Sequence, residues 1–436
     1  MQTQAGPLSD YAAVKDYLYA LKAGGMKFGI DRMRRFVAEL GHPERSYPVV
    51  HVAGTNGKGS VSAMLESMLR AAGRRTGLYT SPHLVKLGER VQVDRRQLTE
   101  ADLIAFVNEL RPVAERAAAY APDEHATFFE FMTAMAFLQF RRRHVDAAVI
   151  EVGMGGRLDA TNVIEQPAVT VITSIGLDHC AELGDTLDKI AREKAGIIKP
   201  GRPVVIGRMP VVAEQVIREV AAGAGAPVHS VREHFGEDLA AYPQTNLEGD
   251  YQRWNAATAT LAARLLPAAI RPDEAAMARG LLCVDWPGRW QRLTVGDRTL
   301  ILDATHNPEG ARELEKSLVR LAAATGRKPV IIAGALGEFR ARALLDVVLR
   351  HAAEVLIATP QQARATTYEE MLALVPPATR QLVRRGELAA IFPDPQTCRA
   401  GRPGDTVVVT GSIYLLGEVL ERLAPATAAE PRLQDF

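Results

Sequence analysis

The chemistry-bearing residues of this sequence begin at a glycine-rich turn. Tyr47-Pro48-Val49-Val50-His51-Val52-Ala53 reads as a strand, and Gly54-Thr55-Asn56-Gly57-Lys58-Gly59-Ser60 follows it directly. From Ser60 to Ala71, Val61, Met64, Leu65, Met68 and Leu69 recur at helical spacing. A strand, a glycine turn and a helix start in this order aim backbone N–H groups at an anion, and the helix end adds partial positive charge. Lys58 stands where a side chain reaches β- and γ-phosphates. The general pattern G-x-x-x-x-G-K-[ST] is not met. Val52 occupies the slot of its first glycine, Gly59 occupies the hydroxyl slot, and Ser60 comes one residue late. The competing reading is a plain glycine turn, in which a lysine at this place has little purpose. Nucleotide binding is therefore predicted, with the reaction left open.

Other candidates are scattered along the chain. Glu151 ends the apolar run Ala147–Ile150, where an isolated charge is costly and needs a metal or a partner. A strand-end acid in a salt bridge is the other reading. Ser81, after the strand Gly77–Tyr79 and before Pro82, reads on its own as a turn-capping serine. His179 on its own is more often structural, and Lys194 reads as a solvated helix lysine. Phe128, Phe129 and Phe131 fit either a helix core stripe or a ring-stacking surface. Arg141-Arg142-Arg143 reads as a solvated helix end.

The elements that must position these residues alternate between helix and strand. Tyr11 to Leu40 reads as helical, as do 128–140, 186–195 and 211–221. Short apolar runs at 147–150, 168–172 and 203–206 suit buried parallel strands. A second series begins near residue 291, with strands at 300–302, 329–333, 354–358 and 406–410 and a helix at 309–323. Trp286-Pro287-Gly288-Arg289 punctuates the boundary. The fold class is α/β with mostly parallel sheets. The expected division is 1–288 for the nucleotide domain, 289–424 for a smaller Rossmann-like domain, and 425–436 for a frayed tail.

Composition excludes little. The 436 residues carry a formal net charge of +1, so bulk charge argues for neither nucleic acid nor an acidic membrane. Three scattered cysteines form no CxxC pair, which fits a reducing compartment. The start MQTQAGPLSDY lacks a secretory pattern, and no apolar run is long enough to span a bilayer. A soluble cytoplasmic enzyme is expected.

His51–Ser60 (HVAGTNGKGS) resembles the folylpolyglutamate synthase and dihydrofolate synthase branch of the Mur ligases. The blocks TSPHL at 80–84, TFFEFMTAMAF at 127–137, EVGMGGRLDATN at 151–162, SIGLDH at 174–179 and EKAGIIK at 193–199 follow in that family's order. DATHNP at 303–308 and GSIYLLGEV at 411–419 continue it, and FGIDR at 28–32 precedes it. The resemblance implies a P-loop ATPase domain, a smaller C-terminal domain, and ATP between them. It implies a ligase that phosphorylates a carboxylate and lets an amine attack the acyl phosphate.

By the same resemblance, Ser81, Glu151, His179 and Lys194, the last as a carbamate, hold two Mg²⁺ ions. Lys58, Glu151, His179 and Lys194 become the catalytic set. Gly54–Ser60, Asn255, Arg289, Asp303 and His306 meet ATP. Thr127, Phe128, Phe129, Glu130, Leu158, Asp159 and Ala160 contact the pterin. A monovalent cation is a further implied cofactor. The implied partners are L-glutamate and dihydropteroate or a reduced folate, and the chain is expected to be monomeric. DATHNP replaces the family's usual DGAHNP but keeps Asp303, His306, Asn307 and Pro308. Gly334-Ala335-Leu336-Gly337-Glu338-Phe339-Arg340 lacks the family's frequent Asp-Lys-Asp cluster, which implies a change in glutamate handling, in domain closure, or in the loop alone. A Mur-type ligase acting on another carboxylate, and a P-loop ATPase without ligase chemistry, are the alternatives. The shortness of the chain before its first strand disfavours cell-wall substrates, and the second alternative leaves Glu151, His179 and Lys194 unexplained.

Overall fold

The computed structural model describes residues 6–23, 29–120 and 124–424. Its first sheet contains β1 (Val49–Ala53), β2 (Thr76–Tyr79), β3 (Val91–Val93), β4 (Arg96–Gln97), β5 (Ala147–Glu151), β6 (Val169–Ile172), β7 (Val204–Ile206) and β8 (Val228–Ser230). Their spatial order is β4-β3-β2-β5-β1-β6-β7-β8, parallel except at the β2–β3–β4 edge. The second sheet contains β9 (Gln291–Val295), β10 (Arg298–Asp303), β11 (Val330–Ala333), β12 (Glu354–Ile357), β13 (Val383–Arg385) and β14 (Thr406–Thr410). Its order is β13-β12-β11-β14-β10-β9, with only β9 antiparallel. This is the α/β architecture expected, in two sheet-centred units.

Apolar alternation explains why β1 is central. Val49 faces one core with Tyr79, Ala148 and Ile150, beneath the helix Phe128–Arg142. Val50 and Val52 face the other with Leu78 and Val149, beneath the helices Lys58–Ala71 and Asp250–Arg264. A strand buried on both faces is mostly apolar, with His51 the one polar residue of β1, and parallel pairing follows from the helical cover. From β1 the chain moves to β2 on one side, while β6 flanks the other. The crevice at the carboxyl end of β1 is thus a topological switch point, where open α/β sheets bind ligands.

One expectation is corrected. The helical reading of Tyr11 to Leu40 resolves into two helices, Tyr11–Ala23 and Asp31–Glu39, and Gly29 takes φ +129° before the second. Residues 24–28, including Phe28 of FGIDR, lie outside the described residues, as does the tail 425–436. The β3–β4 edge and β9 are additions that the sequence reading did not contain. β4 is exposed at both residues and β9 alternates with exposed positions, so neither forms an apolar run.

One buried group on β1 makes stability depend on pH. His51 is fully buried, with Nε2 2.8 Å from Thr161 Oγ1 and no partner for Nδ1 among the described residues. Burial, aided by the Lys199 charge, pushes its imidazole down to about 3. The unfolded chain therefore takes up a proton below its ordinary value near 6.5 that the folded chain refuses until about pH 3. Stability falls as pH drops through that window. From pH 7.5 to pH 5 the loss from this one group is about 2 kcal/mol. Urea midpoints of wild type and His51→Gln at both pH values should show the variant's acid loss smaller by about that amount; equal losses would exclude His51 as the cause.

Candidate active site

The phosphate loop is bent by glycines that have no substitutes. Gly54 takes φ +152° and Gly57 φ +85°. A Cβ on Gly54 would lie 1.9 Å from Thr173 Oγ1, and one on Gly57 would lie 2.4 Å from Asn255 Oδ1. Thr173 and Ser174, just after β6, brace the loop: Thr173 Oγ1 donates to the Asn56 carbonyl at 2.6 Å, and Asn56 N donates to Ser174 Oγ at 3.0 Å. The helix Lys58–Ala71 then starts with no side-chain cap, so its first amides face the cleft. Gly59 explains the departure from the general motif. A Cβ there would lie 2.6 Å from the Trp286 ring, which fills the space beside the missing hydroxyl.

Two lysines meet at this loop. Lys58 Nζ donates to the Gly54 and Thr55 carbonyls at 3.1 and 3.2 Å. Lys194, buried on the helix Leu187–Ala195, donates to the same Gly54 carbonyl at 2.8 Å. Burial first, and the Lys58 charge second, bring Lys194 down to about 7. Glu151, at the end of β5, is buried, and burial pushes its carboxyl up to about 7 against the opposing pull of Lys58 and Arg289. Its Oε2 meets no hydrogen-bond donor among the described residues. Burial holds His179 down at about 4 despite the neighbouring Asp178 carboxylate.

The second unit closes over the loop through side-chain amides. Asn56 Nδ2 donates to Asn307 Oδ1 at 3.2 Å and Asn307 Nδ2 donates to Asn56 Oδ1 at 2.9 Å. Asn56 also donates to Glu309 at 2.6 Å. Asn307 caps its own helix by accepting from Gly310 N at 2.9 Å and donates to Asp178 at 3.3 Å. Asp178 also accepts from Arg340 at 2.5 Å and lies 3.7 Å from His306 Nε2. Burial would raise the Asp178 carboxyl, but His306, His179 and Arg340 hold it well below the usual range. A second seam joins Leu84, in the loop after Ser81, to the core of the second sheet. Its carbonyl lies so close to Gly417 that a Cβ there would come within 2.1 Å.

Gly54–Ser60, Ser81, Glu151, His179, Lys194, Asn255, Arg289, Asp303 and His306 therefore line one cleft. Asp303 is already engaged there. It accepts from Thr305 N and Oγ1 at 3.1 and 2.5 Å, from Trp290 N at 3.2 Å and from Tyr251 Oη at 3.4 Å. The seven residues assigned to the pterin form a layer behind the cleft wall. Thr127 and Glu130 make a capping box at the start of Phe128–Arg142, and Glu130 also pairs with Arg32 at 2.8 Å. Phe128 is buried under Arg90, while Phe129 packs on Tyr79 and beneath Gly153. Leu158 is half-buried and Ala160 buried. Asp159 accepts from Gly153 N and Met154 N, both at 3.0 Å, and so fixes two residues that do line the cleft. The sequence reading missed Asp178, Glu309 and Arg340. Asp178 sits within SIGLDH, which was read only for its histidine, and the 334–340 stretch was read only for what it lacks.

Among the described residues, no three His, Cys, Asp or Glu side chains form a self-contained metal cage. A buried carboxylate with one partnerless oxygen, beside a phosphate loop, instead fits a single ligand to a hard divalent cation.

Residues 52–258 match the family model of the Mur ligase middle domain, and residues 288–413 that of the Mur ligase glutamate ligase domain. The chain belongs to the Mur ligase family. It is 40% identical over 332 residues to the dihydrofolate synthase/folylpolyglutamate synthase of Bacillus subtilis, covering 71% of this chain and 76% of that one. An Escherichia coli FolC structure in complex with DHPP and ADP superposes with a TM-score of 0.80 at 30% identity, covering 96% of this chain and 98% of that one. A bifunctional folylpolyglutamate synthase/dihydrofolate synthase with Mn, AMPPNP and L-glutamate bound gives 0.78 at 29%, covering 97% and 100%. The P-loop domain and smaller C-terminal domain expected of a Mur ligase are thus both present.

Gly59 gives a direct test of the loop's shape. Gly59→Ala should weaken ADP binding at least tenfold by calorimetry, because the new methyl displaces either the loop or the indole. Adding Trp286→Leu should recover a substantial part of that loss. A double variant as weak as the single one would show that Trp286 is not what dictates glycine at 59.

Proposed function

We propose that this Mur ligase family chain uses ATP to join L-glutamate to the carboxylate of dihydropteroate, of a reduced folate, or of both, through an acyl phosphate. The observation that carries the reading is a convergence. A phosphate loop, a buried carboxylate with a partnerless oxygen and a buried amine of lowered basicity meet in one cleft walled by the second unit. The relatives named above, with ADP, AMPPNP, Mn or L-glutamate in their complexes, support it.

In this reading the amides of Gly54–Ser60 and the Lys58 ammonium bind the β- and γ-phosphates. Asn255, Arg289, Asp303 and His306 hold the remainder of the nucleotide. Ser81, Glu151 and His179, with Lys194 as a carbamate, would hold two Mg²⁺ ions, which when bound neutralise charge on the phosphates and the acyl group. The lowered basicity of Lys194 favours the carbamate, because only a neutral amine takes up CO₂. Thr127, Phe128, Phe129, Glu130, Leu158, Asp159 and Ala160 form or support the pterin side, with Phe129 offering the ring face. Closing the cleft excludes water, which would otherwise compete with the glutamate amine for the acyl phosphate. A monovalent cation, a monomeric state, a cytoplasmic location and the division 1–288, 289–424 and 425–436 complete the reading. Among the described residues no helix is long and apolar enough to cross a membrane.

Substrate omission tests the reaction. ADP release should require glutamate together with dihydropteroate or tetrahydrofolate, and comparing the two acceptors separates the two activities. Release with neither acceptor, or without glutamate, would contradict ligase chemistry. Lys194 is tested separately. Protein equilibrated with carbon-13 bicarbonate should give a carbamate NMR signal that Lys194→Arg lacks, and that variant should lose at least a hundredfold in kcat. Full activity in the variant would remove the carbamate from the mechanism.

A further inference from the structure

The turn between β3 and β4 is strained in a way that the sheet edge alone does not explain. It has two residues, Asp94 and Arg95, with Val93 paired to Arg96 across it. Asp94 takes φ +49° and Arg95 φ +64°. A two-residue hairpin with positive φ at both positions usually carries Asn-Gly, because a Cβ is unfavourable there. Asp94 has a local task. Its Oδ1 accepts from Thr76 N at 2.8 Å, and Thr76 Oγ1 donates to the buried Glu66 at 2.8 Å, so the turn is fixed to the helix Lys58–Ala71 that the phosphate loop opens. Arg95 instead directs its hydrogen bonds to Asp285, 190 residues away. Its Nη2 donates to the Asp285 carbonyl at 2.5 Å and to the Asp285 carboxylate at 3.3 Å. The guanidinium also lies over the Trp286 ring, 5.8 Å from its centroid, and only 17% of the Arg95 side chain is exposed.

Asp285 and Trp286 belong to the linker between the two sheet-centred units. On one side the first unit holds it: Val284 N donates to Asn246 Oδ1 at 3.1 Å, and Asn246 Nδ2 donates to the Val284 carbonyl at 2.9 Å. On the other side it joins the second unit, where Ala304 N donates to the Gly288 carbonyl at 2.9 Å. Between these anchors Trp286 lies beside Gly59, and Arg289 follows into the cleft. The path of the linker therefore sets both the indole behind the phosphate loop and the guanidinium in front of it. A cation over an indole, together with a charged hydrogen bond to a carbonyl, is strong enough to fix such a segment. We propose that Arg95 is a positioning residue for nucleotide binding: from the β3–β4 turn it holds Asp285 and Trp286 of the linker, and so seats the indole beside Gly59 and Arg289 in the cleft.

This inference rests on nucleotide binding in the cleft, and its test separates the two. Wild-type protein with Mg²⁺ should bind ADP by calorimetry; failure there would count against nucleotide use itself. Arg95→Gly removes the contacts to the linker but suits the positive φ, so its thermal midpoint should stay close to wild type. Its Kd for ADP and its KM for ATP should rise roughly fivefold, while the KM for L-glutamate stays within about twofold of wild type. Arg95→Lys keeps a cation for the Asp285 carbonyl but loses the flat face over Trp286, and should recover part of the loss. In a Trp286→Leu background, Arg95→Gly should weaken ADP binding little further, because the two side chains act through one contact. An Arg95→Gly protein that binds ADP as tightly as wild type would overturn the proposal. So would a loss accounted for by a smaller folded fraction, or one that adds in full to that of Trp286→Leu.

Discussion

The reciprocal amide pair between Asn56 and Asn307 is the contact on which the geometry of the cleft depends. One amide sits in the phosphate loop and the other on the residue that caps the helix Pro308–Thr325 in the second unit. Asn307 also caps that helix and reaches Asp178. A hydrogen bond contributes only about 0.5–1.5 kcal/mol net, but a buried donor or acceptor left without its partner costs more. Because one side chain serves three neighbours, the loop, the helix start and Asp178 cannot move independently. Glu309 strengthens the arrangement by accepting a further hydrogen bond from Asn56.

The same coupling accounts for what the sequence disclosed and what it withheld. β1, β5, β6 and β11 were legible because strands buried on both faces are mostly runs of apolar residues. The exposed β4 and the alternating β9 carry no such run, and β3 is three residues long with Gln92 between its two valines. At the site, Gly54–Ser60 and Glu151 announced themselves through local pattern, since a glycine turn and a strand-end acid are features of neighbouring residues. Ser81, His179 and Lys194 became legible only through resemblance. Arg340 was invisible because its meaning lies in Asp178, 162 residues away. Thr127 and Glu130 have a second, local task as the capping box that starts the helix Phe128–Arg142.

The irregular spelling of the phosphate loop also has a tertiary cause. Gly59 stands where the general motif has a hydroxyl because Trp286, just before the second sheet, packs against it. Gly57 is likewise bounded by Asn255 from the helix Asp250–Arg264. The loop is thus shaped by distant side chains as much as by its own glycines, and a motif search that reads only consecutive letters rejects it.

The contact between Leu84 and Gly417 has a consequence for precision. Backbone meets backbone there, with no room for even a methyl group. Side chains that meet at an interface can trade rotamers and absorb error, whereas two stretches of main chain cannot. The closed position of one unit on the other therefore works like a machined stop with a fixed datum. Ser81 lies three residues from that datum on the same loop, so its distance from the reaction centre is a matter of covalent geometry instead of side-chain adjustment.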